Sequence, residues 1–202
     1  MLGLARTAAG RTGPVMRLAS PRMPGLLRLR GFASVRKDPE EATGLYYHAL
    51  PGEEGVWALS LLSTPPASAS AASVLGILRT RDGEEPAEYL RKNPDEMRRN
   101  DAFWDVLHRV LQAQVPDDEP LQVEAMNRGN GWAHMCDARN EAAPGRVASP
   151  DDIFGSVAFS EGKLDASTYE RNDTYRFCVK PEGPMQLPRH WLDSIRKQLA
   201  SS

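Results

Sequence analysis

Short apolar runs separated by turn residues open the folded part of the chain. The runs at 44–50 and 55–63 are separated by Pro51-Gly52, and this close spacing predicts an antiparallel hairpin. The second run has apolar side chains at both odd and even positions, which is typical of a central strand covered on both faces. A run at 73–79 predicts a third strand, in which Gly76 marks a bulge or a close contact.

A helical period of three and four residues follows at 86–115. Residues 93–96 (NPDE) have the residue types of a capped helix start. Arg109 lies four residues after Asp105, so we expect these two side chains to pair on the outer face. An apolar stripe predicts that the helix packs across the sheet. The stripe consists of Phe103, Trp104, Leu107, Val110 and Leu111.

The second half of the chain predicts further strands and a final helix. Residues 121–127 alternate between apolar and polar side chains, and Asn130-Gly131 is a hairpin signal that leads to residues 132–138. The runs at 153–159 and 174–180 predict two more strands. Pro188 begins a last helix, on which three apolar side chains align. These are Trp191, Ile195 and Leu199.

Together these elements predict an α+β fold with a single domain at 44–202. We expect a mainly antiparallel sheet of about six to seven strands, with one long helix packed across it and a C-terminal helix. The Pro- and Ser-rich segment 64–72 predicts a flexible loop within this domain. The charged residues at 33–43 predict a leading arm in front of it.

The N-terminal segment differs sharply from the rest of the chain. Residues 1–32 contain six Arg and no acidic residue. This composition is typical of a mitochondrial transit peptide, which predicts a disordered, cleaved segment and a location in the mitochondrial matrix. The pattern from Arg30 to Ser34 resembles a presequence cleavage site, which places the mature N-terminus near Ala33. A basic arm that binds nucleic acid is the alternative interpretation.

The remaining body is acidic. Residues 33–202 carry 19 of the 25 basic residues and all 27 acidic ones, a net charge of −8. Such a surface argues against sequence-independent nucleic-acid binding, because that binding needs Lys and Arg at the phosphates. No apolar run reaches the roughly 20 residues that span a bilayer. Cys136 and Cys178, without a secretory signal, favour free thiols over a disulfide.

The stretch 127–159 combines reactive side chains with Pro- and Gly-rich turn chemistry. A strand period of two places Trp132, His134 and Cys136 on one face. His134 and Cys136 could share a metal or form a thiolate–imidazolium pair. A structural zinc site normally has four ligands, and Cys178 is the one other cysteine of the sequence that could supply a sulfur ligand. We expect these residues to serve packing and hydrogen bonding.

Five charged residues surround the turn region, and two interpretations of them stay open. They could hold an anionic ligand or supply a general acid and base. Alternatively, Asp151 or Asp152 could organise a turn while Arg139 pairs with one of them. The five residues are Asp137, Arg139, Arg146, Asp151 and Asp152.

The common phosphate-loop, dinucleotide, zinc-protease, thioredoxin-like and serine-hydrolase motifs do not occur in the sequence. We therefore expect no bound metal or cofactor, and a non-catalytic protein that serves a larger mitochondrial complex as an accessory subunit or assembly factor. The alternative is a small enzyme or ligand-binding protein with a site around residues 132–152. That site would consist of Trp132, His134, Asp137, Arg139 and Asp152.

Overall fold

Four α-helices and eleven short strands form within residues 34–81, 83–140 and 148–201, the part of the chain that the computed structural model describes. Every strand pairing is antiparallel. The elements are β1 (Val35–Lys37), β2 (Tyr46–Ala49), β3 (Val56–Ser60), β4 (Val74–Arg79), α1 (Pro86–Lys92), β5 (Arg98–Arg99), α2 (Asp101–Gln114), α3 (Glu119–Arg128), β6 (Gly131–Cys136), β7 (Ile153–Ser160), β8 (Lys163–Leu164), β9 (Glu170–Arg171), β10 (Cys178–Val179), β11 (Gly183–Pro184) and α4 (Arg189–Ala200).

The first sheet has the order β1-β2-β3-β4-β5. The predicted hairpin of β2 and β3 is confirmed, and every residue of the central strand β3 is buried. A Cβ atom at Gly76 of β4 would lie 2.6 Å from the carbonyl oxygen of Arg98, which explains the glycine as a close contact. The predicted leading arm contributes the edge strand β1 to this sheet.

The predicted long helix is interrupted. Residues 93–96 do not start α2; Pro94–Glu96 form a 3-10 turn between α1 and β5, and α2 begins only after Asn100. The predicted stripe of α2 is confirmed for Phe103, Trp104, Leu107 and Leu111, which are buried, whereas Val110 is half-buried at its edge. Asp105 accepts a hydrogen bond from Arg171 of β9 at 2.9 Å in place of the expected pairing with Arg109.

The strand predicted at 121–127 is wrong, because these residues form α3. Asp118 caps this helix, and its Oδ1 accepts a hydrogen bond from the N–H of Leu121 at 3.1 Å. Leu121 and Ala125 are buried at helical spacing, whereas Val123 is exposed. Asn130-Gly131 therefore joins a helix to a strand and does not form the predicted hairpin turn.

The second sheet has the order β6-β7-β8, with β9 paired to β7 as well. Its long strand β7 confirms the run predicted at 153–159. The strand predicted at 174–180 shrinks to β10, which pairs only with β11. Tyr175, Phe177 and Cys178 are all buried, so their side chains do not alternate between two faces as in a strand with one exposed face.

Aromatic side chains connect the two sheets and the helices in one core. The rings of Phe154 and Tyr175 lie 4.4 Å apart, and Tyr175 also contacts Trp104 of α2. Trp191 of α4 packs edge-to-face against Phe154, and the α4 stripe is buried as predicted. In the described ranges no helix is long and apolar enough to cross a membrane.

Some predictions concern residues outside the described part. The transit peptide at 1–32, the mature N-terminus at Ala33 and the side chain of Arg146 all lie there. Residues 64–72 are described and contain neither helix nor strand. Their predicted flexibility stays a prediction.

Candidate functional site

The structure separates the predicted site residues into two groups. Trp132 and His134 lie on the partly exposed face of β6. Asp137, Arg139 and Asp152 are buried together where the segment after β6 meets the turn before β7. The two groups therefore do not form one constellation.

The partly exposed face of β6 carries Trp132, His134 and Cys136, and the last two make local hydrogen bonds. Trp132 is 42% exposed and lies opposite Ala158 of β7. The Nδ1 of His134 and the Oγ of Ser156 are hydrogen-bonded at 2.8 Å. The thiol of Cys136 lies 3.6 Å from the carbonyl oxygen of His134, and burial raises its pKa to about 11. Cys136 is thus a thiol at neutral pH and lacks the character of a nucleophile.

The guanidinium of Arg139 is at the centre of the buried group, and its side chain has no exposed surface. Its Nε donates to the carboxylate of Asp152 at 2.8 Å. Its Nη1 and Nη2 donate to four carbonyl oxygens, at distances from 2.7 to 3.4 Å. Those carbonyls belong to Asp151, Arg176, Phe177 and Gly183. Each of the five guanidinium N–H groups thus has an acceptor supplied by the fold itself.

Asp137 is the second buried carboxylate of this group. Its Oδ2 accepts the hydroxyl of Tyr175 at 2.7 Å, and its Oδ1 accepts the backbone N–H groups of Arg139 and Gln186, both at 2.9 Å. Burial raises the pKa of the Asp137 carboxyl, whereas the neighbouring Arg139 favours its charged form. The carboxylate thereby connects the end of β6 to the segment after β11.

The expected pairing of Arg139 with an aspartate is confirmed, and the partner is Asp152. The second oxygen of Asp152 accepts a hydrogen bond from the side chain of Asn140 at 3.2 Å. The backbone N–H of Asp137 also donates to the carbonyl oxygen of Asp152 at 2.7 Å. These contacts fasten both ends of the segment that separates β6 from β7. They leave no guanidinium donor of Arg139 for an external anion.

A separate cluster around the buried carboxylate of Asp38 was missed by sequence reasoning. Its side chain is fully buried and accepts the hydroxyl of Tyr47 at 2.7 Å and the guanidinium of Arg91 at 2.7 and 3.0 Å. The donors from Arg91 and Tyr47 lower the pKa of the Asp38 carboxyl, against the opposing effect of its burial. The sequence gives little sign of this cluster, because Arg91 lies 53 residues after Asp38 along the chain. A Tyr in an apolar strand, Tyr47, is its one local signal.

One residue, Gln186, links the two carboxylate clusters. Gln186 donates its backbone N–H to Asp137 and its side-chain amide to Glu40 at 2.6 Å. Glu40 in turn pairs with Arg91 at 3.2 Å. The polar network therefore runs from the first sheet, through the segment after β11, to the end of β6.

Within the described ranges, no three His, Cys, Asp or Glu side chains are grouped so that they could hold a metal ion. Comparison of the chain with protein-family models, with curated proteins and with solved structures finds no significant match.

Proposed function

We propose that the protein is a non-catalytic accessory subunit or assembly factor of a larger complex in the mitochondrial matrix. The observation that carries the proposal is the complete use of Arg139 within the fold. Asp137 and Asp152 are engaged by the same network, so this buried charged group serves structure. A site that uses Asp137, Arg139 or Asp152 would need one of these side chains to face a ligand.

A surface on α3 supports binding to a protein partner. Leu121 and Ala125 anchor this helix in the core, while Met126 is 64% exposed and Val123 is 44% exposed. Val123 and Met126 are three residues apart and so are neighbours on one helix face. We call this pair the α3 surface. Contiguous exposed apolar surface marks protein contact sites, and we propose these two side chains as the apolar centre of such a contact.

The proposed compartment depends on the N-terminal segment. Six Arg without an acidic residue in 1–32 support import into mitochondria. The net charge of −8 in the remaining chain supports a protein partner over a nucleic acid, since phosphates would be repelled.

The test is affinity purification of the full chain from mitochondria, followed by mass spectrometry of the co-purified proteins. The double variant Val123→Ser/Met126→Ser removes the apolar contacts of the α3 surface, and we expect it to lose a defined partner at an unchanged melting temperature. Asn127→Ser, at the exposed residue next to Met126, is the matched control and should keep the partner. A stable double variant that retains every partner would contradict the proposed surface.

A further inference from the structure

The strand β6 forms one edge of the second sheet, and backbone groups of Trp132 on this strand point away from β7. Ala158 of β7 lies opposite Trp132. Its N–H donates to the hydroxyl of Thr168 at 2.8 Å, and its carbonyl oxygen accepts the N–H of Asp165 at 3.0 Å. Both contacts lie on the side of β7 that carries β8 and β9. Trp132 and Ala158 therefore form a non-hydrogen-bonded pair, in which the N–H and carbonyl groups of Trp132 point outward.

The backbone groups of His134 point outward for the same reason, because the orientation repeats at every second residue of an antiparallel strand. Within the described residues, the backbone N–H groups of Trp132 and His134 have no acceptor. The carbonyl oxygen of Trp132 accepts from Arg128 at 3.0 Å, and that of His134 accepts the thiol of Cys136 at 3.6 Å. Each carbonyl keeps a second lone pair. The edge of β6 therefore offers both donors and acceptors to another strand.

The strand β6 also lacks the features that normally protect a sheet edge from a second chain. Exposed edge strands are usually very short, charged or interrupted by proline. The other edge strands in the described part of the chain have only two or three residues each, and all except β10 contain Lys, Arg or Pro. They are β1, β5, β8, β9, β10 and β11. In contrast, β6 has six residues, none of which is charged or a proline.

We propose that β6 pairs with the β6 strand of a second copy of this chain about a two-fold axis. An antiparallel pairing centred on Ala133 places Trp132 of one copy opposite His134 of the other. The outward N–H of each residue then donates to the outward carbonyl oxygen of the other. The two-fold axis repeats this exchange at the symmetric pair of residues. The free donors and acceptors of β6 thus satisfy one another in a single register.

Charge favours a second copy over an unrelated strand. A two-fold interface requires a surface that complements itself, and a charged strand would meet its own charge there. The uncharged β6 avoids this repulsion, and it carries no charge that would select a different strand. The side chains also match, because Trp132 lies against His134 of the second copy as a cross-strand aromatic pair on the partly exposed face. This self-association does not depend on the partner proposed above.

Sedimentation equilibrium of the full chain measures the association. Pairing through one strand belongs to the small, transient interfaces, so we expect a monomer–dimer equilibrium between micromolar and submillimolar concentrations. The double variant Trp132→Lys/His134→Lys puts Lys opposite Lys in both pairs. It should weaken dimerisation about tenfold or more. Val35→Lys, at an exposed residue of the short edge strand β1, is the matched control and should leave dimerisation unchanged.

A charge swap tests the register itself. Trp132→Glu/His134→Glu should also be monomeric alone, but mixing it with the Lys variant places Glu opposite Lys and should restore a heterodimer. The proposal is overturned if the original chain stays monomeric throughout, or if the mixed variants do not associate. Should the variants fail to fold, amide hydrogen exchange in the original chain decides the outcome. The N–H groups of Trp132 and His134 should exchange more slowly at high protein concentration, and unchanged exchange would overturn the proposal.

Discussion

The guanidinium of Arg139 lies 2.8 Å from the carboxylate of Asp152, and neither side chain has more than 3% of its surface exposed. The two residues belong to opposite ends of the segment that separates β6 from β7. Their contact therefore closes this segment, and the carbonyls around Arg139 add residues 176–183 to the same junction. A buried charge with this many contacts to the fold holds these segments of the chain together.

Two tyrosine hydroxyls should stabilise the buried carboxylates. Tyr175→Phe removes the donor to Asp137, and Tyr47→Phe removes the donor to Asp38. We expect each change to lower the free energy of unfolding by about 1–3 kcal/mol, the usual effect of leaving a buried acceptor without its partner. The measurement is the urea midpoint. Tyr46→Phe, at a half-buried tyrosine on β2, is the control and should have little effect.

The stability of the protein should depend on pH because the imidazole of His108 is buried. Burial, and then the charges of Arg171 and Arg99, lower its pKa from 6.5 to about 4. Because the folded pKa is the lower one, stability is complete above pH 6.5 and falls as the pH drops toward 4. At pH 5 the loss should be about 2 kcal/mol.

His108→Gln isolates this contribution, since glutamine does not titrate. Urea unfolding at pH 7 and at pH 5 measures how much free energy of unfolding each protein loses between the two pH values. This loss should be smaller in the variant than in the original chain by about 2 kcal/mol. Identical pH effects in both proteins would show that His108 is not neutral in the fold.

Truncation of the α2 stripe should be far more damaging than removal of the neighbouring surface ion pair. Leu107 is fully buried, so Leu107→Ala should cost about 2–5 kcal/mol. Asp105 pairs with Arg171 on the exposed side, so Asp105→Ala should cost less than about 1 kcal/mol. Denaturant midpoints measure both, and equal shifts would mean that the buried face is assigned to the wrong side of α2.

Import into mitochondria should leave a shortened chain. If residues 1–32 are a transit peptide, N-terminal sequencing of protein isolated from cells should begin at or near Ala33. An intact Met1 terminus on protein from the cytosol would contradict the proposed compartment.

Sequence patterns predicted the elements whose stability depends on local apolar periodicity. The β2–β3 hairpin, the strand β7 and the α4 stripe follow from residues that are close in the chain. The α3 error has a clear physical cause. Alternating Leu121, Val123 and Ala125 suit a strand, but the capping of Leu121 N–H by Asp118 and a Pro in the first turn favour a helix.

The buried network could be predicted only in part. The pairing of Arg139 with an aspartate follows from their positions around the turn region. The acceptors at Phe177 and Gly183 do not, because carbonyl groups carry no sequence signal and these lie 38 and 44 residues away. For the same reason no pattern showed that the indole N–H of Trp104 would be buried without an acceptor among the described residues.

The most direct test of the structural role of Arg139 and Asp152 compares stability with function in the same variants. Arg139→Ala leaves the carboxylates of Asp137 and Asp152 buried without their counter-charge, and Asp152→Ala leaves the buried guanidinium with only the longer ion pair to Asp137, at 3.5 Å. Each should cost about 3–5 kcal/mol. Arg79→Ala, which breaks an exposed pair with Glu53, is the control and should cost under about 1 kcal/mol.

Each variant is assayed for melting temperature and for rescue of a strain that lacks the gene. The structural role predicts a lower melting temperature for Arg139→Ala and Asp152→Ala, with a proportionate loss of rescue. A variant that melts like the original chain but does not rescue would contradict it, and would place a ligand or a reaction at these residues.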